Sequence, residues 1–190
     1  MLESNHITKE KDSLRFLEHH NHYTDQKLRR ILRDVKTFAL VGASTVWRRP
    51  SYYAMTYLQH KGFKIIPINP ARVGETVLGE KVYGSLADVP HQLDMVDIFR
   101  TSEEALDITK DVIKNKDARG IKYLWMQLTV RNDYAAELAE EAGLEVIMDR
   151  CPKIEFGRLS GELSWLGVNS GIITSKTLKS PKHDLKKKCR

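Results

Sequence analysis

The chain predicts an α/β fold, a doubly wound sheet of about five parallel strands with helices on both faces. Short, nearly continuous apolar runs recur along it, as expected for strands buried on both faces rather than on one. Between them lie amphipathic segments that start at capping residues and stop at glycines.

Apolar residues at Leu28, Ile31, Leu32 and Val35 form one face of a first helix, capped by Thr24 or Asp25. Thr37 to Val41, closed by Gly42, is the first strand. A helix over 51–61 ends at Gly62, and Phe63 to Ile68 makes the second strand. Met95 to Phe99 is a third strand, and Ser102 to Asn115 the helix after it. Ile121 to Met126, a helix from Asn132 to Glu141 closed by Gly143, and Leu144 to Met148 complete the alternation. Right-handed crossovers make this a Rossmann-like sheet, with 3-2-1-4-5 as the expected strand order.

In such a sheet ligands lie outside the carboxyl ends of the strands. The segments to weigh are therefore those starting at Gly42 and Asn69, with Phe99-Arg100-Thr101, Met126-Gln127-Leu128 and Asp149-Arg150-Cys151. After the first strand, Gly42-Ala43-Ser44 turns tightly, and Arg48, Arg49, Pro50 and Ser51 precede the next helix. Glycine permits the turn, while a helix N-terminus offers unpaired N–H groups and a positive dipole end. Pro50 suits a first helical position and Ser51 can cap, so an anion should bind here. The second and third glycines of the dinucleotide fingerprint are missing. After the second strand stands Asn69-Pro70-Ala71-Arg72, with no acid for ribose hydroxyls and a nearby arginine. That favours NADP or coenzyme A over NAD.

The chain of 190 residues carries a net charge of +6. Residues 175–190 hold seven Lys/Arg against Asp184, and the other 174 residues balance at 24 of each sign. We expect three parts: a polar N-terminal arm over 1–23, the ligand-binding domain over 24–174, and a solvated basic tail over 175–190 that binds no nucleic acid. Two scattered cysteines, no secretory leader and no long apolar run point to a cytoplasmic protein that does not span a membrane.

Seven stretches, in order, resemble the CoA-binding domain proteins of the small bacterial YccU-like type. They are Val41-Gly42-Ala43-Ser44, Arg49-Pro50-Ser51-Tyr52, Pro67-Ile68-Asn69-Pro70, Leu78 to Tyr83, Val96 to Arg100, Trp125 to Leu128, and Asp149 to Glu155. The chain is also similar to the CoA domain of the succinyl-CoA synthetase alpha subunit. That resemblance implies that Gly42, Ala43, Ser44 and Thr45 meet the CoA diphosphate, that Arg72 supplies a basic contact, and that Phe99, Arg100 and Thr101 line the adenine side. The synthetase's second domain and ATP-binding partner are missing, so it implies binding rather than ligation.

The expected function is binding of coenzyme A or an acyl-CoA by a monomer or homodimer, without evident catalysis. Arg48, Arg49, Arg72, Arg100 and Arg150 would oppose the ligand's charge. Met126 and Gln127 would touch its pantetheine arm, while Trp125 is read as core. Cys151 faces the ligand's thiol end, with Arg150 and Lys153 favouring the thiolate and a mixed disulfide under oxidising conditions. Two alternatives stay open: an NADP-linked oxidoreductase, and the CoA-binding subunit of an acyl-CoA ligase with a separate partner. The oxidoreductase's Tyr-x-x-x-Lys spacing falls only at Tyr23/Lys27, ahead of the sheet, and Tyr57/Lys61, at the end of the helix after the first strand, neither placed to reach a nicotinamide. His19, His20 and His22 read as a solvated helix end without metal, because no cysteine or carboxylate set completes four ligands and the segment lies in the polar N-terminal arm. His60 reads as a residue at a helix end, with no catalytic role.

Overall fold

A computed structural model describes residues 16–161. Thr24 accepts a hydrogen bond from the Lys27 N–H and opens helix α1 (Asp25–Asp34). Strand β1 (Thr37–Val41) follows, then α2 (Pro50–His60) and β2 (Lys64–Ile68). A 3-10 turn (Pro70–Arg72) leads into a hairpin of β3 (Thr76–Val77) and β4 (Glu80–Lys81), tied by Leu78 and Gly79 at positive φ. Then come β5 (Met95–Ile98), α3 (Ser102–Arg119), β6 (Tyr123–Met126), α4 (Asp133–Glu141), β7 (Glu145–Ile147) and α5 (Pro152–Leu159).

Five of the strands form one parallel sheet in the order β2-β1-β5-β6-β7. Counting only these, the order is 2-1-3-4-5, which corrects the expected 3-2-1-4-5. The reason is visible at β2, where the Tyr83 N–H donates to the Pro67 carbonyl and Asn69 N–H to that of Tyr83. The segment returning from the hairpin fills the outer edge, so the third strand crosses back to pair with β1. Pro67 has no N–H to offer on that outer side, as suits an edge strand.

Alternate residues of β1 serve opposite faces. Ala39 joins Ile66, Val96, Leu124 and Val146 beneath α3 and α4, where Ala135, Ala136 and Ala139 let helix and sheet approach closely. Phe38 and Leu40 join Ile65, Met95 and Trp125 beneath α1 and α2. Each large side chain fully buried here contributes about 1.5–3 kcal/mol. Trp125 is core, as expected, and donates its indole N–H to the Arg150 carbonyl at 2.7 Å.

Part of the expected N-terminal arm packs on the domain. Leu17 N–H donates to Asp133, Arg131 returns a bond to the Leu17 carbonyl, and the Arg131 guanidinium lies 4.1 Å over the Phe16 ring. His20 is 1% exposed, which overturns its reading as part of a solvated end. Burial holds its imidazole near pKa 4, so it is neutral. Residues 1–15, the last part of the expected ligand-binding domain over 162–174, the basic tail and Cys189 lie outside the described residues.

Candidate functional site

The carboxyl ends of β1, β2, β5 and β6 and the start of α5 frame one groove with two halves. The first, of about 420 Å³, is lined by Gly42, Ala43, Ser44, Val46, Arg49, Pro50, Ser51, Asn69, Arg72, Phe99 and Arg100. The second, of about 580 Å³, is lined by Tyr53, Ala54, Gln127, Leu128, Val130, Cys151 and Ile154, with Arg48 and Lys153 at its rim. Pro50, Phe99 and Arg100 border both halves. Volumes of this size suit a small-molecule ligand.

Gly42 is required twice over in the polar half. Its φ is +89°, and an added Cβ would lie 2.4 Å from the Phe99 carbonyl oxygen and 2.7 Å from Arg100 Cδ. The space freed by its missing side chain is thus taken by the end of β5, which the turn lets approach. Asn69, singled out as the place of a missing acid, staples the two turns together. Its amide donates to the Ala43 carbonyl at 2.7 Å, and its oxygen accepts from the Ala71 N–H. Ser44 Oγ accepts from the Val46 N–H, which fixes the turn ahead of α2.

Helix α2 then begins with Arg49 in an extended N-cap conformation, no side-chain cap and no acid in its first turn. Ser51, expected to cap, is instead inside the helix and 6% exposed, because Pro50 takes the first helical position. Among the described residues Arg49 has no ion pair, whereas Arg72 pairs with Glu75 at 3.2 Å and Arg100 with Glu104 at 2.6 Å. Both pairs are surface contacts of small net worth.

Under the apolar half lies a polar floor that sequence reasoning missed. Asp97 is fully buried in β5, and the Gln127 amide donates to both its carboxyl oxygens at 3.0 and 2.9 Å. Burial pushes the Asp97 carboxyl well above its usual range, beyond what the Gln127 bonds recover. An acid inside the apolar run Met95 to Ile98 was the available signal. The rim also carries backbone strain: Thr129 (φ +71°) donates its N–H to the carboxylate of Asp149 (φ +52°). Such outliers gather at ligand sites.

Several expected residues stand elsewhere. Met126 is wholly buried, because the end of β6 packs into the core. Arg150 is 5% exposed and bonds the carbonyls of Asp149 and Asn21 beside the Tyr23 ring, so its charge does not face the groove. Thr101 caps α3, and Thr45, Pro70 and Thr101 lie outside the groove's lining. Cys151 does line the apolar half, but its thiolate is disfavoured, contrary to expectation. Burial pushes the thiol up to about 11, outweighing the N–H groups of Ile154 and Lys153 at the start of α5. Neither Tyr23/Lys27 nor Tyr57/Lys61 lines the groove.

A search among known proteins returns relatives over most of the described region. The sequence model of the CoA binding domain family matches residues 36–157. A Bacillus subtilis (strain 168) protein, the uncharacterized YneT, is 32% identical over 128 residues, which is 67% of this chain and 90% of that one. A hypothetical protein from Pyrococcus horikoshii OT3 superposes with a TM-score of 0.68 at 36% identity, covering 74% of this chain and 95% of that one. A Thermus thermophilus protein gives 0.67 at 34% identity, covering 72% and 99%.

Proposed function

The chain belongs to the CoA binding domain family, and on that premise we propose that it binds coenzyme A or an acyl-CoA in the groove, without catalysis of its own. The observation that carries this reading is the continuity of an anion-receptive half with an apolar half across Pro50, Phe99 and Arg100. Coenzyme A has roughly four negative charges at one end and a long neutral arm at the other. The uncapped start of α2, with Arg49, Arg72 and Arg100, suits the phosphates. The Gly42-Ala43-Ser44 turn would lie against the diphosphate, and Phe99 beside the adenine. Gln127, Leu128, Ile154 and the Cys151 thiol would line the path of the arm.

An NADP-linked reaction gains no support from the groove, whose lining includes neither Tyr–Lys pair. Melting curves with coenzyme A, acetyl-CoA, NADP and ATP discriminate directly, since a ligand at 100 times its dissociation constant stabilises by about 2.7 kcal/mol. Coenzyme A and acetyl-CoA should raise the midpoint more than NADP or ATP. Arg72→Glu should weaken coenzyme A at least about tenfold, near 1.4 kcal/mol, and leave the unliganded midpoint unchanged. A response to NADP alone would sink the proposal.

A further inference from the structure

His19 and His20 close a short 3-10 turn (Glu18–His20) that lies against helix α4. Facing them is Glu140, some 120 residues away in sequence, on the last turn of that helix. Its Oε1 lies 3.1 Å from His19 Nε2 and 3.3 Å from His20 Nε2, and its Oε2 lies 3.2 Å from His19 Nε2. The two imidazole rings sit 4.1 Å apart, and one ligand atom from each of the three residues falls within 4.8 Å of the others.

The side chain of His20 is wholly buried, yet its Nε2 has no hydrogen-bond partner. The nearby carboxylate is close enough but poorly aligned. The other ring nitrogen, Nδ1, is held at 2.8 Å by the Tyr23 hydroxyl, which also accepts from the Met148 N–H. A buried ring nitrogen that is aimed at a carboxylate and a second imidazole, and left unpaired, calls for something to pair with.

We propose that His19, His20 and Glu140 bind a divalent transition-metal ion of the zinc type, which fastens residues 16–23 to helix α4. Zinc bonds to nitrogen and oxygen of about 2.0–2.1 Å in tetrahedral geometry set the ligands roughly 3.3 Å apart. The His–Glu separations match this spacing, and the ligand atoms of all three residues lie within 4.8 Å of one another. Two imidazoles with one carboxylate suit zinc or cobalt rather than calcium or magnesium, which favour all-oxygen sets. With Nε2 on the metal, His20 Nδ1 carries the proton and donates it to the Tyr23 oxygen, the outer anchor that metal-bound imidazoles commonly have. Water would fill the fourth position. The carboxylate that joins these histidines comes from a distant helix, and the fold alone supplies it.

The test is a titration of the tag-free full-length chain with cobalt, followed by visible absorption and by displacement with zinc. One equivalent should bind with the strong bands of a tetrahedral site. His19→Ala and Glu140→Gln should each weaken binding at least about tenfold, while His22→Ala should match the wild type. His19 is half exposed, so its replacement leaves the fold intact, which circular dichroism checks. Zinc should also raise the melting midpoint of the wild type and not of His19→Ala. Failure of the wild type to bind either metal would overturn the proposal. Binding that persists unchanged in His19→Ala or Glu140→Gln, or that is lost in His22→Ala, would do so too.

Discussion

Two helices begin beside the groove, and their first turns are built in opposite ways. Helix α3 opens with a capping box, in which the Thr101 side chain accepts from the Glu104 N–H and Glu104 accepts from the Thr101 N–H. Glu103 adds a second acid, and Arg100 is drawn onto Glu104. Helix α2 opens with an arginine, a proline and no acid. Each helix carries a positive dipole end at its start, but only the first turn of α2, with Arg49, Pro50 and Ser51, lines the groove, whereas α3 reaches it through Arg100 ahead of its cap. One is closed by its own carboxylates, and the other has no acid or side-chain cap in its first turn. Two helix starts at one sheet edge thus differ in what they could accept, and under the proposed function only the open one would take a phosphate.

The contrast breaks most easily at Gly42, on which the approach to α2 depends. Gly42→Ala forces a side chain into positive φ and against the Phe99 carbonyl, at a cost of about 2 kcal/mol or more. The melting midpoint should fall by roughly 4–8 °C. A loss under a degree would mean that the turn relaxes freely. A smaller effect is expected from Glu104→Ala, which opens α3 and should cost about 0.5–1 kcal/mol. The same change releases Arg100 and should leave coenzyme A affinity equal or slightly higher; weaker binding would put Glu104 among the ligand's contacts.

Acid should separate the helices most subtly. The Thr101 N–H and then Arg100 hold the Glu104 carboxyl below its ordinary value of 4.5. A lowered folded value means that its stabilisation is complete above about pH 4.5 and is lost as pH falls through that lower value. Amide protection in the first turn of α3 should therefore decline in that window relative to α2, which has no acid there to titrate. Parallel loss in both helices would dissolve the distinction.

Much of the fold is written locally. Phe38-Ala39-Leu40 reads as a buried strand because both of its faces are covered. The caps at Thr24 and Asn132 and the stops at Gly62 and Gly143 mark helix ends, whereas α3 runs past the expected Asn115 to Arg119 and stops at Gly120. Strand order is not local, since it depends on where the chain returns after β2. Pro67 was the one residue that marked β2 as an edge. Helix α5 was announced only by Pro152 at its first position. Within the site, Gly42, Asn69, Arg72 and Phe99 are legible because turns leaving a strand must lie at its carboxyl end. Met126 and Arg150 were misplaced by one rule, that sequence proximity to that edge does not fix where a side chain points. Packing draws Met126 inward, and the positive φ of Asp149 precedes an Arg150 that is bonded to Asn21. The partnership of His20 with Glu140 is invisible for the same reason, because the fold alone joins them.

The open first turn of α2 is tested most directly by Arg49→Asp. Aspartate at that N-cap can accept from the first-turn N–H groups and should stabilise the chain by about 1 kcal/mol. It also places a fixed carboxylate where the ligand's diphosphate is proposed to sit. Calorimetric titration should show coenzyme A binding to the wild type and at least about thirtyfold weaker, near 2 kcal/mol, to a variant that melts higher. Undiminished binding to that stabilised variant would contradict the account.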